Sequence, residues 1–426
     1  MKWQVIHLDV RSDLAHLAAG DGAAFVVFWW GSLPLGARRY AARELPLPPG
    51  RLLPLCSQLV AQQLAARLPE LGAPLKPGGD AEPVIRLSTQ TAIAFTQHSA
   101  IDQMAVGSVE IPDDLSVVVC TRDRPRELHG CLRSLGGQRP APLEVVVVDN
   151  SEQRSAQPIC EAFPEVRYVH EPRPGLSIAR NAGIAASRGG VIAFTDDDVE
   201  VHAGWSAELA RMFRAQPEID AVTGLVLPSS LATRAQRFFQ FDMGGFGSSF
   251  LPLRFDKSFI EEQLPHGPQV WRIGAGANMA FRRSVFARVG LFDERLGAGA
   301  SGCSEDSELW YRILASGGCC FYEPRAVVFH HHRAAWDDLL RQTRAYMKGH
   351  VSALVVQSDR HGHRSNLQRI VRALPLYFSR MAIDVMRRGS KERGSVLARE
   401  VIGWAAGLQY LVRPGWRRRM AVRPGK

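Results

Sequence analysis

A short apolar run followed by three consecutive acidic residues is the feature that most constrains how this chain can fold. Residues 191–194 (VIAF) have the composition of a buried strand, and after Thr195 the chain places Asp196, Asp197 and Asp198 in succession. Alternate side chains of an extended segment share a face, so Asp196 and Asp198 can point the same way. Neighbouring carboxylates repel unless a cation offsets the repulsion, and oxygen ligands favour Mg²⁺ or Mn²⁺. A solvated acidic loop is the alternative.

Two earlier apolar runs, residues 115–120 (LSVVVC) and 143–148 (LEVVVV), are also predicted strands, each followed by polar residues and a helical pattern. Such βα units are typical of an open parallel sheet, in which ligands bind beyond the carboxyl ends of the strands. Those ends carry polar residues here: Thr121, Arg122, Asp123, Asp149 and Asn150. The sequence has neither a G-x-G-x-x-G motif after the first strand nor a P-loop motif, so side chains and metal would hold any nucleotide.

Five ordered segments resemble the signatures of family 2 glycosyltransferases with the GT-A fold. They are LSVVVCTRDR from Leu115, VVVDNS from Val146, PGLSIARNAGI from Pro174, FTDDDV from Phe194 and SEDSEL from Ser304. The resemblance covers about residues 113–335. It implies an α/β fold with a Rossmann-like mixed sheet flanked by helices. It also implies inverting transfer of a sugar from a nucleotide-diphosphate donor to a hydroxyl acceptor.

The resemblance further implies which residues hold the donor nucleotide. Thr121, Arg122 and Asp149 lie at the positions expected around the nucleobase and ribose, with Asp149 accepting a hydrogen bond from the base edge. Arg180 matches a residue that contacts the nucleotide, and Asn181 braces the same pocket.

The Asp triplet matches the DxD motif of the family. The resemblance implies that Asp196 meets the ribose or a metal-bound water, that Asp198 binds Mn²⁺ or Mg²⁺ directly, and that Asp197 belongs with the donor-binding residues. Three consecutive histidines begin at His330, and alternate members of an extended segment can face one metal. His330 or His332 is therefore a further candidate ligand; otherwise these imidazoles are exposed or packed in the core.

Asp306 matches the catalytic base of the family, and Glu305 stands beside it. In the implied reaction the acceptor hydroxyl loses its proton as it attacks the sugar, and a carboxylate within hydrogen-bond reach can accept that proton. A structural alternative is that Ser304 or Asp306 caps a helix that begins at this point. Both can hold.

The acceptor side is expected near Gly274, where the sequence reads GAGANMAFRR. This segment resembles the acceptor-side region of the family, and the resemblance implies that Gly276, Asn278 and Trp310 face the acceptor. Small residues there let the backbone approach a sugar closely. The glycine-rich segment at 297–302 precedes the base and is predicted to order over bound donor.

Three parts are expected along the chain. Residues 1–105 form an N-terminal α+β accessory module with a buried strand at 23–31 and a helix at 52–71, to which we assign no chemistry. Residues 106–335 form the catalytic domain. Residues 336–426 form a basic helical C-terminal region.

The whole positive excess of the chain lies in this last part. Residues 360–426 hold 16 Lys and Arg against 3 Asp and Glu, a net of +13, whereas the full chain has a formal net charge of +10. Apolar residues at helical spacing, with Trp404, Tyr410 and Trp416, suit an anionic membrane surface. A helical subdomain with a solvated basic face is the alternative. No recognition motif accompanies the arginines, so nucleic acid is not an expected partner.

Cellular location follows from what the sequence contains. The longest apolar run of the tail, 401–412, is too short to span a bilayer, and no signal peptide begins the chain. The 7 cysteines form no C-x-x-C pair, which fits reduced thiols. We therefore expect a cytoplasmic protein, peripheral at the inner face of the plasma membrane if the tail binds it.

The favoured reading is a metal-assisted glycosyltransferase whose acceptor is a cell-surface polysaccharide, a glycolipid or a similar hydroxyl compound. A nucleotidyltransferase would need a further carboxylate on an adjacent strand. A non-catalytic nucleotide-sugar binding module would keep Asp149 and Asp198 but dispense with Asp306. The donor base and the acceptor stay open.

Overall fold

The computed structural model describes residues 3–11, 22–67, 114–247, 249–413 and 416. The domain junction predicted near residue 105 and the end of the helix predicted at 52–71 lie outside these ranges.

A small sheet covered by one helix forms the N-terminal part. Strand β1 (Trp3–Asp9) is parallel to β2 (Ala23–Trp30), and β3 (Leu33–Tyr40) is antiparallel to β2. Every residue of β2 is buried, because one face packs under helix α1 (Pro49–Arg67) and the other faces the central sheet. The predicted buried strand and helix are confirmed within the described residues.

The central sheet begins with four parallel strands. These are β4 (Leu115–Thr121), β5 (Glu144–Asp149), β6 (Val166–His170) and β7 (Val191–Asp196), arranged in the order β6-β5-β4-β7. Runs of valine favour these strands because β-branched side chains fit a pleated surface that is covered on both faces.

Five further strands complete the sheet: β8 (Val199–Val201), β9 (Ala221–Pro228), β10 (Leu253–Phe255), β11 (Asn278–Arg282) and β12 (Cys320–His330). The order continues as β7-β11-β9-β12-β10, with β8 paired to β12. Strand β11 is antiparallel to both of its neighbours, so the sheet is mixed. The predicted α/β fold with a mixed sheet is confirmed.

Helices cover both faces of this sheet. They are α2 (Pro125–Gly136), α3 (Gln157–Cys160), α4 (Leu176–Ala186), α5 (Trp205–Ala215), α6 (Arg234–Phe241), α7 (Lys257–Gln263), α8 (Arg283–Val289) and α9 (Glu305–Ala315). Alternate residues of β4 enter different cores: Val117 and Val119 pack with α2 and α5, whereas Val118 packs with α4.

The C-terminal region is helical, as predicted. It comprises α10 (Trp336–His361), α11 (Ser365–Gln368), a π-helical segment (Arg369–Ala373), α12 (Leu374–Arg388) and α13 (Lys391–Leu411). Gly403 and Gly407 let α13 pack closely along α10, since an added Cβ would meet the Arg344 carbonyl oxygen at 2.5 Å and Val351 Cβ at 2.7 Å. In the described part of the chain no helix is both long and apolar enough to cross a membrane.

A buried ion pair joins the N-terminal part to the central sheet. The Arg67 guanidinium at the end of α1 donates to the Glu323 carboxylate of β12 at 2.9 Å, and neither side chain is exposed. Arg211 and Arg325 also contact Glu323. The two parts therefore share one polar core as well as an apolar one.

Candidate active site

A cavity of about 1320 Å³ lies beyond the carboxyl ends of β4 and β7. The structure brings ten of the predicted residues to its wall: Thr121, Arg122, Arg180, Asp196, Asp197, Asp198, Gly276, Glu305, Asp306 and His330. The cavity extends from these residues to helices α10, α12 and α13. Its position is the one expected from the strand ends of a parallel sheet.

The Asp triplet meets arginine at the mouth of β7. The Asp197 carboxylate accepts hydrogen bonds from Thr121 Oγ1 at 2.7 Å and Arg124 Nη1 at 2.5 Å. The Asp198 carboxylate accepts one from Arg124 Nη2 at 2.8 Å, and Arg333 Nη1 lies 3.4 Å from it. Asp196 is the most exposed of the three, with 35% of its side chain accessible. The arginines thus offset much of the repulsion within the triplet.

The three carboxyl groups differ in acidity because their surroundings differ. Burial raises the pKa of Asp197 to about 7, although Arg124 opposes the shift. Burial also raises the pKa of Asp196, against the effect of Arg180. At Asp198 burial acts in the same direction, but His330, Arg124 and Arg333 outweigh it and lower its pKa. Asp198 is therefore the most readily ionised member of the triplet, and a carboxylate must be ionised to bind a metal.

Of the two candidate histidines, only His330 faces the triplet. Its Nε2 lies 3.5 Å from Asp198 Oδ1, and burial lowers its pKa, so the imidazole is neutral near pH 7. His332 lies behind it, hydrogen-bonded to His330 at 2.9 Å and to Gln240 at 3.0 Å. His332 does not line the cavity, so it is not placed to bind a metal there.

The donor set at this point fits a divalent cation. The Asp198 carboxylate and the His330 Nε2 lie side by side at this point, and carboxylate oxygen suits Mn²⁺ or Mg²⁺. Arg124 and Arg333 now contact the same carboxylate and would have to shift. Over the ranges that the structure describes, no cluster of three or more His, Cys, Asp or Glu side chains is arranged as a metal site.

Arg180 joins the triplet to the predicted base region. Its guanidinium donates to the Glu305 carboxylate at 2.6 Å and lies 3.4 Å from Asp196, while the Gly276 carbonyl accepts a third contact at 3.3 Å. Burial raises the pKa of Glu305 to about 7 despite this arginine, and Asp306 adds to the effect. Glu305 Oε2 is buried without a hydrogen-bond partner.

Asp306 lies in the first turn of α9 with its carboxylate fixed by the backbone. Its Oδ2 accepts from the Gly276 amide at 2.8 Å, and its Oδ1 accepts from the Ser307 amide at 2.6 Å. Ser304 is the N-cap residue, with φ of 71°, but its side chain makes no capping hydrogen bond. The structural alternative therefore holds in part: the acids begin a helix, and Asp306 still lines the cavity.

Gly276 allows this close arrangement. A Cβ at this position would lie 2.9 Å from Arg180 Nη2 and 3.1 Å from Asp306 Oδ2. The glycine-rich segment at 297–302 also reaches the cavity, through Ala298, Gly299 and Gly302. Lys348 of α10 donates to the Ala300 carbonyl at 2.7 Å, which ties this segment to the C-terminal region.

Two residues predicted at the nucleotide lie outside the cavity. Asp149 is fully buried, and its carboxylate accepts from the amides of Ser151 and Ala156 and from the Tyr168 hydroxyl. Asn181 exchanges two hydrogen bonds with the Phe292 backbone at 3.0 Å. Their polar groups are used within the protein, so the prediction that they contact the nucleotide is not met in this conformation.

The structure also places the other two residues predicted on the acceptor side away from the cavity. The Asn278 amide is fully buried, accepts from Trp205 Nε1 at 2.8 Å and donates to the Ala326 carbonyl at 2.7 Å. Trp310 is completely buried in the apolar core beneath α9. Neither side chain lines the cavity, so both are structural.

Some residues that line the cavity were not predicted from the sequence. Arg124 lies only three residues after the end of β4, so its place in the TRDR segment could have identified it. The far wall, which includes Trp271, His350, Tyr377 and Glu400, could not have been found, because no pattern links those positions to the Asp triplet.

Comparison with known proteins shows which family the chain resembles. Residues 116–290 match the family model described as glycosyl transferase family 2. The chain is similar to the succinoglycan biosynthesis protein ExoM of Rhizobium meliloti, with 31% identity over 261 residues, which cover 59% of this chain and 77% of that protein. It is also similar to the pre-mycofactocin glycosyltransferase of Mycobacterium tuberculosis, with 29% identity over 252 residues, 57% of this chain and 48% of that protein. The chain thus spans about half the length of the mycobacterial relative.

Among solved structures, the chain is similar to the mannosyltransferase PcManGT from Pyrobaculum calidifontis in complex with GDP-Man and Mn²⁺. The TM-score is 0.43 at 18% identity, and the match covers 84% of this chain and 93% of that one.

Proposed function

The chain belongs to glycosyl transferase family 2, and on that basis we propose that it transfers a sugar from a nucleotide-diphosphate donor to a hydroxyl acceptor, with inversion at the anomeric carbon. One observation carries the proposal: the DxD carboxylates and Asp306 line a single cavity, with Arg180 between them. Family membership favours glycosyl transfer over nucleotidyl transfer.

The donor occupies the end of the cavity beside β4 and β7. Its diphosphate is anionic, and Arg122, Arg124 and Arg333 line the cavity there. Asp198 and His330 would hold Mn²⁺ or Mg²⁺, with Asp196 close by, and a bound cation would supply electrostatic stabilisation of the departing diphosphate. Thr121 and Asp197 form a hydrogen-bonded pair next to this site and fix its shape.

Asp306 acts as the general base. The two backbone amides hold its carboxylate toward the cavity, and a carboxylate oxygen accepts the proton of the acceptor hydroxyl. As the proton leaves, the acceptor oxygen bonds to the anomeric carbon and the bond from that carbon to the diphosphate oxygen breaks. A single displacement of this kind inverts the configuration. Glu305 and Arg180 are positioning residues in this account.

The acceptor enters from the opposite end of the cavity. Beyond Asp306 the wall continues through Trp271, His350, Tyr377 and Glu400, which leaves room for a second ligand. A saccharide or a lipid-linked glycan has the required hydroxyl groups, and we propose an acceptor of the polysaccharide or glycolipid class.

Replacement of the base separates catalysis from binding. Asp306→Asn keeps the size of the side chain and one acceptor oxygen, so we expect nucleotide binding to persist while release of nucleotide diphosphate from a nucleotide-sugar falls by roughly 100-fold or more. Water can serve as the acceptor in this assay. The matched control is Asp337→Asn, at an exposed position in the first turn of α10.

Equal turnover by Asp306→Asn and wild-type protein would remove Asp306 as the base. Nucleotide binding without turnover by the wild-type chain would instead favour a non-catalytic binding module.

A further inference from the structure

The last two helices form a hairpin with an unusual surface. Helices α12 and α13 are joined at Gly389 and Ser390 and run antiparallel, since Tyr377 contacts Glu400 and Arg393 contacts Asp384. Only Leu374 is buried among the 15 residues of α12. A helix with so little buried surface gains little stability from packing, so its apolar side chains need another explanation.

The apolar side chains of α12 face outward. Met386 is 74% exposed, Leu376 51% and Ile383 44%, and Val371 in the preceding π-helical segment is 65% exposed. Leu376, Ile383 and Met386 are spaced by seven and three residues, which places them on one side of the helix. Exposed arginines flank them at positions 372, 380, 387 and 388.

Helix α13 has one side that packs on the protein and one side that is exposed. Its inner side carries Gly403 and Gly407, which pack on α10. Its outer side carries Val401, Ile402 and Leu408, all more than a third exposed, and Val412 just after the helix is 67% exposed. The exposed apolar surface therefore covers both arms of the hairpin.

The aromatic residues that the sequence suggested for a membrane lie elsewhere. Trp404 Nε1 donates to the Ile370 carbonyl at 3.1 Å, and the Tyr410 hydroxyl donates to the Arg295 carbonyl at 3.2 Å. Trp416 is buried, with the Arg295 guanidinium 4.8 Å from its ring centre. Tyr410 and Trp416 therefore contact the catalytic domain, whereas Trp404 packs within the C-terminal region. Any outer contact must use the aliphatic residues.

The hairpin has a net positive charge, with 6 Lys and Arg against 3 Asp and Glu in residues 374–411. Its three acids make contacts within the protein: Asp384 pairs with Arg388 and Arg393, Glu392 pairs with Arg234, and Glu400 accepts from Tyr377. Burial also raises the pKa of Glu400 to about 7, which reduces its negative charge. Exposed arginines and aliphatic side chains are therefore what an approaching partner meets.

We propose that this hairpin is a docking surface for an anionic lipid bilayer. Aliphatic side chains beside arginines match the acyl and headgroup layers of such a bilayer. A second copy of the chain would bring two positive surfaces together, which charge repulsion opposes. The hairpin lies flat on the bilayer rather than crossing it, in keeping with the lengths and composition of its helices.

Docking would also bring the acceptor to the cavity. Leu374 and Tyr377 of α12 and Glu400 of α13 line the same cavity as the Asp triplet. The hairpin therefore carries the exposed surface and the acceptor end of the cavity together. This consequence rests on the proposed function, and it names the substrate class as a lipid-linked acceptor whose sugar enters while its lipid stays in the membrane.

Vesicle sedimentation of the full chain tests the proposal. We expect binding to phosphatidylcholine vesicles that contain phosphatidylglycerol, weakened by salt, and little binding to phosphatidylcholine alone. The triple variant Leu376→Ser/Ile383→Ser/Met386→Ser should bind roughly tenfold or more weakly. The matched control Leu53→Ser/Leu253→Ser/Leu291→Ser removes three comparably exposed apolar side chains outside the hairpin and should bind as the wild type does.

Wild-type protein that stays in solution with anionic vesicles would overturn the proposal, as would equal loss of binding in both triple variants. A wild-type dimer that the hairpin variant converts to monomer, without any vesicle binding, would show that the surface is a contact between copies. Nucleotide binding by the same proteins is a separate readout. Wild-type protein that binds nucleotide but not anionic vesicles overturns the docking surface alone. Wild-type protein that binds vesicles but no nucleotide overturns the proposed function alone.

Discussion

Arg180 balances the charges of two motifs that lie far apart in sequence. Its guanidinium contacts Glu305 at 2.6 Å and Asp196 at 3.4 Å, and the arginine itself is buried. Without this cation, the buried Glu305 carboxylate would face Asp196 uncompensated, and an unpaired buried ion costs several kcal/mol. Arg180 therefore sets the charge balance beside Asp306, whose own carboxylate is held by backbone amides.

Asp197 should make stability depend on pH. Burial raises its pKa to about 7, whereas an aspartate in the unfolded chain titrates near pH ~4. Between these values the folded protein holds a proton that the unfolded chain has released, so the free energy of unfolding falls as the pH rises. Asp197→Asn lacks this slope. We expect its free energy of unfolding, relative to wild type, to rise by about 2 kcal/mol between about pH 5 and pH 7.5.

Urea unfolding at the two pH values measures this difference. The control Asp337→Asn, at an exposed position, should keep a constant difference from wild type. A constant difference for Asp197→Asn as well would show that the Asp197 carboxyl group has an ordinary acidity.

At the scale of elements, glycine sets how closely α4 packs on the parallel strands. A Cβ at Gly183 would clash with Val118 of β4 and come within 3.3 Å of Val148 of β5. Gly183→Ala should therefore lower the free energy of unfolding by about 1–3 kcal/mol through overpacking. In α2, a Cβ at Gly130 would meet nothing within 4 Å, so Gly130→Ala should raise that free energy by about 0.5–1 kcal/mol.

Denaturant unfolding of the two variants measures these changes in the free energy of unfolding. Although the substitution is the same and both sites are helix interiors, we expect the free energy of unfolding to fall for Gly183→Ala and to rise for Gly130→Ala. A gain in stability for Gly183→Ala would mean that α4 does not pack as tightly on the sheet as described.

The strands were predictable because valine runs have little alternative to a buried sheet. The strands predicted at 115–120 and 143–148 were found within one residue at each end, and β7 does end at Asp196. The direction of single side chains was harder to predict. Asp149 follows a strand just as Asp196 does, yet it binds the backbone of its own loop instead of facing the cavity. Sequence alone does not distinguish an acid that braces a loop from one that binds a ligand.

The burial of individual polar and aromatic side chains was also difficult to predict from the sequence. Asn278 lies in a glycine-rich segment beside the cavity, but its amide satisfies buried groups on β9 and β12. Trp310 follows Asp306 by four residues on α9 and points into the core. Both outcomes depend on contacts between elements distant in sequence, which local patterns do not reveal.

At the scale of the whole molecule, the N-terminal part is bound to the catalytic domain by charge and by aromatic contacts. The Arg67 and Glu323 side chains pair with no exposure, and the Trp29 ring stacks on His202 with centres 5.3 Å apart. A buried pair that loses one partner leaves an uncompensated charge. The described residues of the N-terminal part therefore make buried contacts with the catalytic domain.

Arg67→Met tests this connection. It keeps the apolar bulk but leaves Glu323 without its partner on α1, so we expect the free energy of unfolding to fall by about 3 kcal/mol. Arg43→Met, at an exposed position, is the control and should change stability little. Equal stability of the two variants in a denaturant titration would mean that Arg211 and Arg325 alone neutralise Glu323.

Calorimetric titration with UDP, GDP and dTDP, each with and without Mn²⁺, measures nucleotide binding by wild type, Asp198→Ala and the control Asp337→Asn. We expect one nucleotide to bind the wild type and the control in a metal-dependent manner, and we expect Asp198→Ala to lose this binding. Absence of binding by every nucleotide, or metal-dependent binding that survives in Asp198→Ala, would contradict the assignment of this cavity as a nucleotide-sugar site.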